Sequence, residues 1–315
     1  MARAILLWLP VQLVLGGIQG VLPPSSPINR EISGEESRFV QGGVVRITGT
    51  FTAPSGLTNY LIVAFAVLIA ALVAGMFVRR SLAALLLLMA ITTVAISGSR
   101  GAVLGVSLVL LSAVLHSALT RPGLTVRLTS TIALVAGASW LAATSFFPQV
   151  VKAFADRFAA ADRVEDTGGR LLGQTLGFLS PENFSLFGSG VGGTSIVGIA
   201  LGSGQSWVEI ESIRWVVELG ILGLLFASLR LLCGLGLIVA IFAFPWRFSP
   251  VFVALSAVIA PTLVFGTIGQ NPSYQGSFAI TLAMAILAIK CDPHRVKDRS
   301  DLSKSKLTKE HRRAS

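Results

Sequence analysis

Charge is scarce in this chain, and acidic charge is the scarcer kind. Only 13% of its 315 residues are charged, 25 basic against 15 acidic. A soluble domain carries about 25%, so this chain lacks the polar surface needed to face water on all sides. Cysteine and histidine are few as well, at two and three residues. Two thiols cannot form a disulfide framework; Cys233 falls within an apolar run and Cys291 just past another. His116, His294 and His311 are scattered. No Cys/His spacing matches a zinc site, and no glycine loop has the P-loop pattern. Neither a metal nor a cofactor is expected. No internal repeat is evident, which argues against an inverted-repeat transporter.

Apolar residues fill the chain instead, at 53%, and the mean hydropathy is +0.77. A helix crossing a bilayer needs about 20 apolar residues. Runs of that kind stand at 4–22, 58–78, 81–98, 101–119, 128–147, 213–243, 248–268 and 273–290. The expected fold is therefore all-α, a polytopic membrane bundle of about eight transmembrane helices within residues 1–290. The first run has the charge and length of a signal peptide too. No small-residue cleavage site follows it, so an uncleaved helix is the reading adopted.

Basic residues cluster in alternate breaks: Arg79 and Arg80, Arg121 and Arg127, Arg247, and the tail from Lys290. The positive-inside rule puts those breaks and both termini in the cytoplasm. The net charge of +10 then reflects loops at a lipid surface rather than a nucleic-acid partner. Segments 23–57, 97–101, 148–212 and 269–276 face outward. The tail, 291–315, is polar and without an apolar stripe, and reads as a disordered or lipid-associated segment.

The outward segments hold the candidate chemistry. In the large loop 148–212, Val151, Phe154, Phe158 and Ala161 recur at helical spacing, as in an interfacial amphipathic helix. A glycine-rich run, 187–193, is either a close approach to a ligand or a plain connector. Glu211, Arg214 and Glu218 then line one helix face at the membrane boundary, as a functional set or as an intrahelical ion pair. Arg100 stands in a tight turn, Ser97 to Ala102, and Arg46 precedes Ile47-Thr48-Gly49-Thr50-Phe51. Arginine suits phosphate through its planar fork of donors, whether on a substrate or a lipid headgroup. Arg230 interrupts the run Leu219–Phe244, where snorkelling or a bend would account for it.

Four pieces in this order resemble the O-antigen ligase and O-antigen polymerase family of bacterial envelope polysaccharide assembly. They are the stretch Arg46 to Phe51 before a helix, Ser97 to Ala102 between helices, and Gly169-Arg170 in the large loop. The fourth is Phe187-Gly188-Ser189-Gly190 followed by Glu211-Ser212-Ile213-Arg214 and Glu218-Leu219-Gly220. The resemblance covers about residues 40–245. It implies a membrane glycosyltransferase of the bacterial inner membrane that moves glycan from a polyprenyl-pyrophosphate carrier to an acceptor sugar, outside the cytoplasm. A chain-length regulator is a partner that this implies as well.

On matching positions, Arg100, Arg170 and Arg46 would bind the pyrophosphate. Glu211 would serve as general base, and Arg214 would orient it or touch phosphate. The family's ligases carry a histidine ahead of the final Glu-Leu-Gly; here Glu209 and Glu211 stand there, which points to a polymerase-like enzyme. Family members also carry more helices before the first motif, so a shortened, split or minimal member is expected. A flippase for amphiphilic substrates and a catalytically inactive relative are the competing readings.

Overall fold

The computed structural model describes residues 1–30, 39–41, 44–75, 79–149, 151–152, 155–156, 167–208, 210–269 and 272–290. Its helices among these residues are α1 (Ala2–Leu7), α2 (Leu9–Val21), α3 (Pro54–Val73), α4 (Arg80–Ile96), α5 (Arg100–Thr120) and α6 (Pro122–Phe146). They continue with α7 (Thr167–Leu176), α8 (Ile196–Ala200), α9 (Glu211–Leu219), α10 (Ile221–Ala243), α11 (Pro250–Phe265) and α12 (Pro272–Lys290). An antiparallel pair, β1 (Val40–Gln41) with β2 (Val44–Val45), precedes α3. Proline at the first turn begins α3, α6 and α11, where its missing N–H costs nothing. Ser99 and Ser249 cap α5 and α11 by accepting from Ala102 and Phe252.

Among the described residues six helices, counting α1–α2 as one, are long and apolar enough to cross a membrane, while α4 and α11 are apolar but shorter. The chain is in this sense a multi-pass helical membrane protein. Its centre is α3, whose Leu57, Leu61, Phe65, Leu68 and Ile69 are almost fully buried. Helices α4, α5 and α11 pack around it. The outer helices α5, α6 and α10 turn large apolar side chains outward, as lipid-facing helices do.

Two features depart from the sequence reading. The run 213–243 is not one span: it breaks at Gly220, whose φ of 59° is open to glycine and strained for other residues. Helix α9 folds back so closely that a Cβ on Gly223 of α10 would collide with the Trp215 backbone. The N-terminal helix is also staggered, because the Tyr60 hydroxyl, a third of the way along α3, donates to the Ile5 carbonyl at 2.7 Å. A full antiparallel crossing would set Ile5 beside the far end of α3. The expected amphipathic helix around Phe154, Phe158 and Ala161 and the tail 291–315 lie outside the described residues.

The stretch after Arg46 is held by two glutamines of α2. Gln19 Oε1 accepts the Thr48 and Gly49 amides at 3.1 and 2.8 Å, and its Nε2 donates to Thr48 Oγ1 and the Gly49 carbonyl. Gln12, seven residues earlier on the same face, accepts from the Thr50 amide and donates to Thr50 Oγ1. Both side chains are buried. Gly49 has φ 61°, and a Cβ there would overlap Gln12 Oε1. A Gln19→Leu substitution should strand the buried Gly49 amide, at about 1–3 kcal/mol, and also the half-buried Thr48 amide at a smaller cost. Thermal unfolding in detergent should show that loss, with protease cutting near residues 46–50 rising in parallel; an unchanged midpoint would mean that the glutamines are idle.

Candidate functional site

The turn before α5, the start of α3, the end of α11 and the start of α12 all meet at one end of the bundle. Thr58 Oγ1 donates to Ser99 Oγ at 2.8 Å, and Asn59 Nδ2 donates to the Ser273 carbonyl at 3.2 Å. Arg100 is the first residue of α5, just past the cap. Arg46 is fixed from the other side: its amide donates to the Phe39 carbonyl at 2.8 Å, and Val45 and Ile47 on either side are buried.

The two arginines come within electrostatic reach of each other. Burial first, and then the Arg100 guanidinium, push the Arg46 pKa below arginine's usual value. Arg46 Nε is buried and finds no acceptor among the described residues. Positive charge gathered near a helix N-terminus, whose dipole also favours negative charge, is a setting able to receive an anion. Arg170 lies in α7, one helical turn before Gln174. Its side chain is outside the described residues, so it is neither joined to this pair nor separated from it.

A cavity of about 360 Å³ opens at the same end, lined by Ser55 of α3, Gln174 and Phe178, Trp207, Glu211, Trp215, Arg230 and Tyr274. Glu211 opens α9 and is only 4% exposed. Its Oε1 accepts from Arg230 Nη1 at 2.7 Å and from Trp215 Nε1 at 3.3 Å, and its Oε2 accepts from the Gly269 amide at 2.7 Å. Arg230 also donates through Nε to the Leu263 carbonyl at 2.9 Å, and through Nη2 to the Thr262 carbonyl at 2.8 Å and the Gly266 carbonyl. These are carbonyls at the C-terminus of α11, the negative end of its dipole. Arg230 is therefore neither snorkelling nor at a bend. It caps α11 and neutralises Glu211 at the head of α9.

Arg214 does not contact Glu211. Its Nε donates to Glu218 Oε1 at 3.0 Å, one turn on. Glu218 is the hub of the glycine-rich loop: its oxygens accept from the Gly192 amide at 2.9 Å, the Thr194 amide at 3.2 Å and Thr194 Oγ1 at 2.6 Å. The Ser189 and Gly190 amides donate to the Val217 and Glu218 carbonyls. A Cβ at Gly188 would strike the Glu218 carbonyl, and one at Gly220 the Leu186 carbonyl. The run 187–193 is thus a bracket on the α9–α10 break: Gly188 is required where backbone meets backbone, whereas Gly190 and Gly192 have room for a Cβ and are favoured by their positive φ. Sequence reading missed Arg230 as the partner of Glu211, and Gln12 and Gln19 as the supports of the Arg46 stretch. Lone polar residues within long apolar runs were the available signal.

Comparison with family models, curated proteins and solved structures yields no significant match for the chain.

Two outcomes follow from this geometry. Arg230→Met alone should destabilise the bundle by about 3–5 kcal/mol because it leaves a buried carboxylate unpaired, and adding Glu211→Leu should recover part of the loss. A double-mutant cycle on unfolding in detergent measures the coupling; additive losses would contradict the pairing. Glu218 titrates below the usual carboxylate range: burial alone would raise it, but the Thr194 hydroxyl, the Gly192 amide, Arg214 and the Thr194 amide together outweigh burial. A depressed pKa means that its contribution is full above about pH 4.3 and lost as the pH falls through the folded value. Amide exchange of Gly192 and Thr194, corrected for intrinsic rate, should accelerate on acidification below that point. Glu218→Gln should abolish the pH step, and an unchanged step would assign it to another group.

Proposed function

We propose that this chain is a membrane glycosyltransferase of the O-antigen polymerase or ligase type, taking glycan from a polyprenyl-pyrophosphate carrier to an acceptor sugar. The observation that carries this reading is that Arg46 lies within electrostatic reach of Arg100, the first residue of α5, while the buried Arg46 Nε finds no acceptor among the described residues. A diphosphate leaving group gains charge as the glycosidic bond breaks, and fixed guanidinium groups stabilise that charge without reorganising. The neighbouring cavity combines Trp207, Trp215 and Tyr274 with Ser55, Gln174 and Ser212, a mixture of ring faces and hydroxyl or amide groups suited to a sugar. It reaches the first turn of α3 at Ser55, one turn from the Thr58–Ser99 contact beside Arg100.

The membrane arrangement in this reading has eight crossings, with the site on the non-cytoplasmic face of a bacterial inner membrane. Chain direction sets Arg79, Arg121, Arg127 and Arg247 at the end opposite the site, where the positive-inside rule wants them. Arg170, one turn ahead of the cavity residue Gln174, remains a third candidate for the diphosphate.

One observation favours the catalytically inactive alternative. Glu211 is occupied on both oxygens by Arg230, Trp215 and Gly269, which suits a structural carboxylate better than a base poised to take a proton. In an active enzyme Glu211 then acts by holding the cavity wall, with the acceptor deprotonated elsewhere or the transfer driven chiefly by departure of the diphosphate. Replacement of Arg46 or Arg100 by alanine in the native host tests the reading through the lipid-linked glycan pool. Single repeat units should accumulate on the carrier while long polymer disappears. Normal chain lengths in both variants at wild-type protein level would reject it.

A further inference from the structure

Between Glu182 and Glu209 the chain carries no Asp, Glu, Lys or Arg, although none of this stretch belongs to a membrane-spanning helix. Its large apolar side chains are nonetheless turned outward. Phe187 is 88% exposed and Val191 and Leu201 are each 82% exposed, with Leu186, Val197 and Trp207 also exposed. A surface of this kind marks a partner or a membrane.

Two observations decide between them. The Leu186 carbonyl accepts from the amide of Ile221, the first residue of the membrane-spanning α10, at 3.2 Å. The residue before Phe187 is therefore level with the start of α10, whose Ile221, Leu222 and Leu225 are likewise exposed. The second observation is how the polar groups are used. Ser195 Oγ donates to the Gly192 carbonyl and accepts from the Gly198 amide, Ser203 Oγ donates to the Gly193 carbonyl, and the Ser203 amide donates to the Gly198 carbonyl. Glu218, neutralised by Arg214, takes the Gly192 and Thr194 amides. The knob from 192 to 203 thus keeps much of its backbone polarity turned inward, which lipid contact demands and a water-facing loop does not need.

We infer that residues 184–207 form an interfacial knob that inserts Phe187, Val191 and Leu201 into the acyl boundary of the bilayer beside the candidate site. This stands apart from the glycosyltransferase reading, since it needs only the apolar surface and its level relative to α10. Insertion would hold the cavity entrance at lipid depth.

The test uses the full chain with Cys233→Ala and Cys291→Ala, carrying Phe187→Cys, Val191→Cys, Leu201→Cys or Glu182→Cys and labelled with a polarity-sensitive fluorophore. Each variant is reconstituted in vesicles of phosphatidylcholine and phosphatidylglycerol after circular dichroism and gel filtration match the parent. The probes at 187, 191 and 201 should emit to the blue of the probe at 182 and lose emission to lipids spin-labelled on the acyl chain. Water-like emission at all three, unquenched by those lipids, would overturn the inference and leave a soluble partner as the cover. Because no substrate is present, failure here would not bear on the Arg46–Arg100 site, nor would failure of that site bear on this result.

Discussion

The architecture at the cavity end of the bundle depends on one buried ion pair. A hydrocarbon layer supplies no water, so a charge within it must find its partner in the protein. Arg230 finds two kinds at once: the Glu211 carboxylate at the head of α9 and the carbonyls that end α11. Because Glu211 also takes the Gly269 amide, one cluster ties α9, α10, α11 and the connection to α12 together. That tie sets the wall of the cavity and fixes where α9 must fold back on α10. Such pairs add little net stability against an apolar equivalent, yet removing one member is costly. Their use here is to define position.

A second set of contacts works by the same logic on the other side of the site. Gln12 and Gln19 are the polar residues of an otherwise apolar helix, and both are used up in holding the backbone of residues 48–50. They fix the backbone just after Arg46, which lies within electrostatic reach of Arg100 at the head of α5. The contrast between the two arginine settings carries the functional reading. Arg230 is saturated by carboxylate and carbonyl oxygens, whereas Arg46 lies within electrostatic reach of another guanidinium and its buried Nε finds no acceptor among the described residues. The first is built for structure. The second is the setting on which the proposed diphosphate site rests.

Much of this was legible from residue order alone. Apolar runs located the helices, because span length and composition leave few alternatives in a chain so poor in charge. Arg46 and Arg100 were legible as candidates because arginine between apolar helices is conspicuous. Their proximity was not, since it depends on a staggered N-terminal helix and on two glutamines whose reach no periodicity reveals. Glu211 illustrates the limit best. Helical spacing pairs it with Arg214, three residues on, but α9 begins at Glu211 and Arg214 turns to Glu218. Its partner lies nineteen positions later in sequence, brought close by a break at Gly220. The glycine-rich run invited a ligand-binding reading for a related reason: glycine signals close backbone approach without saying to what. Here the approach is to the chain's own α9–α10 corner.

Direct binding of the carrier probes the central electrostatic idea with no dependence on catalysis. The purified protein in nanodiscs would be titrated with a polyprenyl pyrophosphate and with the matching polyprenol, using native mass spectrometry or tryptophan fluorescence. The diphosphate should bind and the alcohol should not, with added salt weakening the interaction and the Arg46→Ala/Arg100→Ala protein losing it. Equal binding of both lipids, or diphosphate binding untouched by the double substitution, would show that the paired arginines hold something else.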